Sequence, residues 1–140
     1  MSVAYENPTV LGEPLGKYSH LSRAGNLVIV AGQVGVRADG SLAGEDFRSQ
    51  LRQIFENLRL ALESTGGGLE SVMKLTTYVV GAGMIAEFYA VRDELYPELY
   101  PSETYPPNTL LVVNGLVRSE LLVEIDAIAY VPATTPDAVG

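Results

Sequence analysis

The stretch "LVIVAGQVGV", residues 27–36, is rich in β-branched residues and predicts a strand. Its apolar side chains fall on both faces of that strand, with Leu27, Ile29 and Ala31 alternating with Val28 and Val30. A strand with one solvated face would instead alternate apolar with polar residues. The sequence therefore predicts that both faces are covered, one by helices and the other by something else.

Glycine positions in and around this strand predict local turns. Gly32 and Gly35 indicate a β-bulge or a close approach of another group to the backbone. Gly25, followed by Asn26, predicts the turn of a hairpin with the preceding segment, and Asp39-Gly40 predicts a second turn.

Two segments show the helical period instead. Between about residues 46 and 64 the apolar residues recur at helical spacing, and the three glycines at 66–68 end the pattern. The stripe consists of Phe47, Leu51, Ile54, Phe55, Leu58 and Leu62. A second stripe, which we expect Pro97 to stop, consists of Ile85, Phe88, Val91 and Leu95.

Three further strands complete the pattern: "SVMKLTTYVVG" between the helices, and "NTLLVV" and "ELLVEIDAIAYV" after them, joined through Asn114-Gly115. The order ββ-α-β-α-ββ predicts an α+β fold, a mixed sheet with two helices on one face. We expect a single domain over 1–140, with an N-terminal arm at 1–14 and a flexible tail at 132–140. The simplest cover for the other apolar face is another copy of the chain.

The composition excludes several classes of protein. The chain has 140 residues, of which 47% are hydrophobic and 19% charged, as is typical of a globular domain. The net charge of −8 argues against nucleic acid as a partner, and no apolar run is long enough to span a membrane. Because the N-terminus also lacks a signal-peptide pattern, we expect a cytoplasmic protein without membrane partners.

Several common catalytic centres are absent from the sequence. There is no cysteine and one histidine, so we expect no metal site of His and Cys ligands. No G-x-G-x-x-G opens a helix, and "TGGGLE" lacks the ending of a phosphate loop, so no dinucleotide cofactor is expected. The G-x-S-x-G elbow of serine hydrolases is missing as well.

Polar side chains on the strands remain as candidates. Glu124 and Asp126 lie two apart on the last strand and therefore share a face. They would serve as general acid and base if burial separated their pKa values, or they would belong to a solvated face. Tyr18 and His20 likewise share a face of the first strand, or belong to a surface hairpin. For Arg92, on the second helix, and for Arg118, before the last strand, a surface position is the default.

Long segments resemble the RidA/YjgF family of enamine/imine deaminases. They are "LGKYSHLSRAGNLVIVAGQVGV", "QLRQIFENLRLALESTGGGLESVMKLTTYVV" and "LLVEIDAIAYV". The resemblance runs from about Leu15 to Val131. It implies a chorismate-mutase-like fold and a homotrimer whose sheets line a central barrel, with small-molecule clefts between subunits. It also implies cofactor-free hydrolysis of a 2-imino or 2-enamino acid to a 2-oxo acid and ammonia.

The resemblance assigns roles by position. Tyr18 matches a family tyrosine that lines the cleft, and Gly32 matches a glycine whose backbone faces the ligand. Glu124 matches the glutamate that helps to place the attacking water. Arg92 falls where many members have an asparagine. Thr109 matches a threonine or cysteine that follows the family's arginine by two residues.

That arginine is absent from this chain. Deaminase members have the sequence P-A-R-S-T, whose arginine forms a bidentate contact with the substrate carboxylate. This chain has "YPPNT" at 105–109 instead. Pro107 takes the place of the arginine, and a register slip of one would offer Asn108, which is neutral. Loss of a bidentate arginine–carboxylate contact should cost roughly 1.5–3 kcal/mol of binding. Ordinary amino-acid-derived imines should therefore be poor substrates.

Two functions follow as hypotheses. The first is a deaminase-like hydrolase of an atypical small metabolite, in which Glu124 positions water while Tyr18 and Gly32 shape the pocket. The positive charge of the family's missing arginine would be supplied instead by Arg118, Arg92 or His20. The second is a non-catalytic trimeric protein that binds a small molecule. A third, nuclease or translation inhibitor, is disfavoured by the acidic charge and the lone histidine.

Overall fold

A computed structural model describes residues 2–133 of the chain. It contains one sheet and two helices. The strands are β1 (Ala4–Glu6), β2 (Leu21–Ala24), β3 (Leu27–Val34), β4 (Val72–Val80), β5 (Asn108–Val113) and β6 (Val123–Tyr130). The helices are α1 (Phe47–Glu63) and α2 (Met84–Leu99). Most of the tail expected at 132–140 lies outside the described residues.

The six strands form one mixed sheet in the order β1-β2-β3-β6-β4-β5. Every neighbouring pair is antiparallel except β4 and β5, which run parallel and are connected through α2. A parallel pair requires such a crossover, because a tight turn reverses the chain. Both helices cover the same face of the sheet, so the predicted α+β architecture is confirmed.

The helices form because their apolar stripes pack against this face. Helix α1 begins after Asp46, whose Oδ2 accepts a hydrogen bond from the Ser49 amide at 2.9 Å and caps the first turn. The stripe predicted for α1 is buried throughout. In α2, Phe88, Val91 and Leu95 are buried, as predicted. The core lies between the helices and β3, β4 and β6.

Three local expectations differ from the structure. Helix α2 continues two residues beyond Pro97 to Leu99, since a proline in the last turn removes only one backbone hydrogen bond. The segment expected as an arm contributes β1, whose three residues are too few to show a period. Strands β5 and β6 are not neighbours, because β4 lies between them. Gly115 does not adopt the left-handed φ that a tight Asn-Gly hairpin would need.

The second face of the sheet is apolar, as the pattern of residues 27–36 predicts, and it is uncovered in the single chain, so its expected cover stays a prediction. We call it the open face. Leu27 and Ile29 on β3 are 49% and 51% exposed, and Ile128 and Tyr130 on β6 continue the apolar surface. The register of β3 and β6 shifts between Val30 and Gln33, which confirms an irregularity at Gly32. Among the described residues, no helix is both long and apolar enough to cross a bilayer.

Candidate active site

The carboxylate of Glu124 lies directly against the backbone of Gly32. Glu124 is partly buried on the open face of β6, and Gly32 is part of the irregular end of β3 beside it. A Cβ atom at position 32 would come within 2.7 Å of the Glu124 carboxyl carbon and closer still to Oε2. Only glycine leaves room for this carboxylate. The close approach predicted for Gly32 is therefore confirmed.

The environment of Glu124 favours its protonated form. Burial raises the pKa of the Glu124 carboxyl above its ordinary value, and the Asp126 carboxylate on the same face raises it further. The predicted sharing of one face by these two residues is confirmed by the alternating burial of β6. A carboxyl with a raised pKa is suited to accept a proton from water and return it near neutral pH.

Sequence reasoning missed Tyr78 as a member of this cluster. Tyr78 pairs directly with Glu124 across β4 and β6, and its hydroxyl donates a hydrogen bond to Asp126 Oδ2 at 2.9 Å. That hydrogen bond is the main cause of a raised Tyr78 pKa. The tyrosine was visible in the predicted strand "SVMKLTTYVVG", but its partner depends on the strand register, which the sequence does not reveal.

Tyr18 and His20 lie in the loop before β2, so the prediction that they share a strand face is wrong. The backbone amide of His20 donates to Asn7 Oδ1 at 2.8 Å, and Nε2 donates to the Gly12 carbonyl at 3.0 Å. The His20 carbonyl accepts a hydrogen bond from the Ala31 amide of β3 at 2.8 Å, so the segment still lies beside β3. The side chain of His20 is buried, and its Nδ1 has no partner among the described residues.

A small cavity of about 40 Å³ connects this loop to Gly32. Tyr18 and His20 both line it, as do Arg37 and Asn57. The structure therefore brings three of the sequence-predicted residues, Tyr18, His20 and Gly32, to one place. Glu124 touches the same glycine from its other side.

The side chains of Asn108 and Thr109, at the start of β5, lie on opposite faces of the sheet. Thr109 pairs with Thr76, which pairs in turn with Asp126, so the three form a row across the sheet. Side chains directly opposite each other in a sheet share a face, and Thr109 therefore lies on the open face. Asn108 points to the helix side, where its Oδ1 accepts a hydrogen bond from the buried hydroxyl of Thr77 at 2.7 Å.

Arg92 shares a groove with Asn108 on the helix side of the sheet. The groove has a volume of about 410 Å³, and Tyr96, Tyr105 and Pro106 also line it. The two tyrosine rings are stacked with centroids 5.4 Å apart. Burial raises the pKa of Tyr96 to about 12, so its hydroxyl stays neutral near neutral pH.

The guanidinium of Arg92 is held in this groove by two contacts. It lies 4.8 Å from the centroid of the Tyr89 ring, a cation–π distance, and its Nη2 is 2.8 Å from Asp93 Oδ1. Arg118 lies elsewhere, in the loop before β6, with its Nε 3.1 Å from Glu120 Oε1 at an angle that makes no hydrogen bond. Of the three candidate cations, only Arg92 lies beside Asn108.

One chain does not bring all the predicted residues together. Glu124, Gly32 and Tyr18 meet around β3 and β6, whereas Arg92 and Asn108 lie at the far edge of the sheet and on its other face. Within residues 2–133 no cluster of three His, Asp or Glu side chains could hold a metal ion. The arrangement can supply a proton-transferring carboxyl in one place and a cation in another.

Comparison with known proteins gives a consistent family. Residues 10–131 match the family model described as endoribonuclease L-PSP. A RutC family protein of Pyrococcus horikoshii is 34% identical over 119 residues, which cover 84% of this chain and 90% of the relative. A 2-iminobutanoate/2-iminopropanoate deaminase of Dermatophagoides farinae is 26% identical over 116 residues, which cover 81% and 90%.

The solved structures agree with the sequence matches. RidA from the Antarctic bacterium Psychrobacter is similar with a TM-score of 0.79 and 29% identity, over 89% of this chain and 97% of its own length. The sheet order, the two helices and the sequence match extend over nearly the whole described chain. The chain therefore belongs to the RidA/YjgF family.

Proposed function

We propose that the protein is a cofactor-free, deaminase-like hydrolase of a small enamine or imine. The observation that carries the proposal is the Glu124 carboxyl, which is partly buried, has a raised pKa and lies against the bare backbone of Gly32. A group of this kind can take a proton from a water molecule at neutral pH. The relative named as an imine deaminase supports this reaction class.

The proposed reaction moves protons through Glu124 in two stages. The water oxygen bonds to the imine carbon while Glu124 takes a proton from that water and passes it to the nitrogen as the C=N bond becomes single. The carbon–nitrogen bond of the resulting amino alcohol then breaks. Its hydroxyl proton passes through Glu124 to the nitrogen, a C=O bond forms, and the nitrogen leaves as ammonia. Water is the only co-reactant.

Arg92 is the cation that we propose for an anionic group of the substrate. Its guanidinium shares a groove with Asn108 and is fixed over Tyr89, whereas Arg118 and the buried His20 lie away from that groove. Pro107 offers no side-chain donor where deaminase members have arginine. The substrate's anionic group would therefore sit closer to α2 than in those members, and this difference supports an atypical substrate.

The proposed cleft lies between two copies of the chain in a homotrimer. On one chain Arg92 and Glu124 lie on opposite faces of the sheet, so a small substrate cannot touch both. The uncovered apolar residues of the open face, among them Ile29 and Leu27, supply a surface for self-association. A second copy would carry its Arg92 groove to the Glu124 of the first.

A non-catalytic, trimeric small-molecule-binding protein is the second candidate. The start of β5 favours it, because Pro106 and Pro107 carry no donor and the Asn108 Oδ1 already accepts from Thr77. Prolonged incubation with a bound ligand separates the two candidates. Recovery of unchanged ligand supports binding alone, and recovery of a product supports catalysis.

The direct test uses imines generated in situ by an amino-acid oxidase from a panel of amino acids. We expect the protein to accelerate formation of the 2-oxo acid from at least one imine, and Glu124→Gln to lower that rate about 100-fold or more. Glu45→Gln, at an exposed glutamate, is the matched control. Equal rates for Glu124→Gln and the wild type would exclude the proposed role of Glu124.

A further inference from the structure

A hydrogen-bonded pair, Tyr78 and Asp126, stands beside Glu124 on the open face. Tyr78 lies directly opposite Glu124 in the register of β4 and β6, and Asp126 is two residues further along β6. The Tyr78 hydroxyl reaches diagonally to Asp126 Oδ2 at 2.9 Å. The tyrosine thus spans the two carboxylates and binds one of them.

The two carboxylates differ in their partners. Asp126 accepts the hydrogen bond from Tyr78, whereas within residues 2–133 no side chain donates a hydrogen bond to the Glu124 carboxylate. Residues i and i+2 of a strand are about 6–7 Å apart, close enough for like charges to interact. The ionised Asp126 carboxylate, fixed by its hydrogen bond to Tyr78, disfavours ionisation of the neighbouring Glu124 carboxyl.

Few other charged or titratable groups face Glu124. Strand β3, on one side, carries no titratable side chain over Leu27–Val34. On β4, Lys74 lies opposite Ile128, further along the strand pair, and its Nζ donates to Thr76 Oγ1 at 3.3 Å. Tyr130 lies at the far end of β6, where its hydroxyl accepts from Asn26. Burial is accordingly the first cause of the raised Glu124 pKa, and the Asp126 charge adds to it.

We propose that Tyr78 and Asp126 are positioning residues for Glu124. Tyr78 holds the Asp126 carboxylate beside Glu124, so that Glu124 is the carboxyl of the pair that exchanges a proton with water. This inference rests on the proposed function for the identity of the water, but the coupling of the three side chains is a property of the protein alone. It can therefore be tested without a substrate.

The test is a carboxyl titration of the whole protein by ¹³C NMR, with the Glu124 signal assigned by its loss in Glu124→Gln. Asp126→Asn keeps an acceptor for Tyr78 but removes the charge, and Tyr78→Phe keeps the charge but removes the tether. We expect the Glu124 midpoint to move to lower pH in both variants, and further in Asp126→Asn. Tyr130→Phe is the matched control and should leave the midpoint in place.

An unchanged Glu124 midpoint in Asp126→Asn would overturn the inference. A shift in Tyr130→Phe as large as that in Tyr78→Phe would also overturn it, because the effect would then be a general response to tyrosine loss. Failure of the proposed function has a different signature. The midpoints would respond as expected, while the wild-type protein would hydrolyse no imine of the panel.

Discussion

The Glu124 carboxylate occupies the space that a side chain at Gly32 would fill. A Cβ at position 32 would lie 2.7 Å from the carboxyl carbon and 3.0 Å from Cγ of Glu124. These distances are shorter than ordinary van der Waals contacts, so either the glutamate or the strand has to move.

Gly32→Ala should destabilise the protein by about 1 kcal/mol, because the clash meets a side chain that can partly rotate away. Urea unfolding measures this cost. In a Glu124→Ala background the same change should cost clearly less, since the clash partner is gone. Gly83→Ala, where a Cβ would meet nothing within 4 Å, serves as the control. Equal costs of Gly32→Ala in both backgrounds would contradict the contact.

The raised pKa of Glu124 predicts a pH-dependent stability difference. In the folded state the carboxyl holds its proton to higher pH than in the unfolded state, so the wild type loses stability as pH rises through the interval between the two values. Glu124→Gln cannot ionise and escapes this loss. The variant should gain in melting temperature relative to the wild type between pH 4 and pH 7. A constant difference across this range would show that the Glu124 pKa is not raised.

We expect His20 to stabilise the loop that carries Tyr18. Because a carbonyl only accepts, the bond to Gly12 requires the neutral ring to carry its proton on Nε2. His20→Ala removes that bond and a buried ring, and we expect a loss of about 1–3 kcal/mol in urea unfolding. As the only histidine, His20 gives isolated ¹⁵N signals that report the tautomer. A neutral ring with its only proton on Nδ1 would contradict the described contact.

The open face should mediate self-association. Ile29→Glu places a charge among apolar residues of that face and should lower the mass seen by light scattering, from three chains in the wild type towards one. Val112→Glu changes a residue of similar exposure that lies with Val79 on the helix side of the sheet, and it should leave the mass unchanged. A wild-type protein that is monomeric at micromolar concentration would exclude the proposed cleft.

Most of the fold could be predicted because its signals are local. The stripe of α1 reports its own burial and is confirmed, whereas the cover that the doubly apolar pattern of β3 predicts for its second face stays a prediction. The exceptions depend on distant pairings. Asn114-Gly115 has the sequence of a tight turn, yet β4 separates the strands on either side of it. The three residues of β1 are defined by their pairing with β2 and not by a pattern of their own.

The candidate site could be predicted in part. The face shared by Glu124 and Asp126 follows from the two-residue period of a strand, and the glycine at 32 indicated a close approach. The sequence does not reveal that Tyr78 lies opposite Glu124, because cross-strand register is set by packing of the whole sheet. The period also puts Asn108 and Thr109 on opposite faces, but which face each one occupies depends on the pairing of β5 with β4.

In the proposed trimer, Arg92 of one copy and Glu124 of another complete one hydrolytic cleft. This shared cleft is tested by mixing Arg92→Gln with Glu124→Gln protein under conditions of subunit exchange. The measured quantity is the rate of hydrolysis of the imine that the wild type hydrolyses fastest. In random trimers from an equal mixture, roughly a quarter of the clefts would combine an intact Arg92 with an intact Glu124. We predict recovery of about that share of wild-type activity. A rate no greater than the summed rates of the two variants before mixing would show that Arg92 and Glu124 do not act in one cleft between copies.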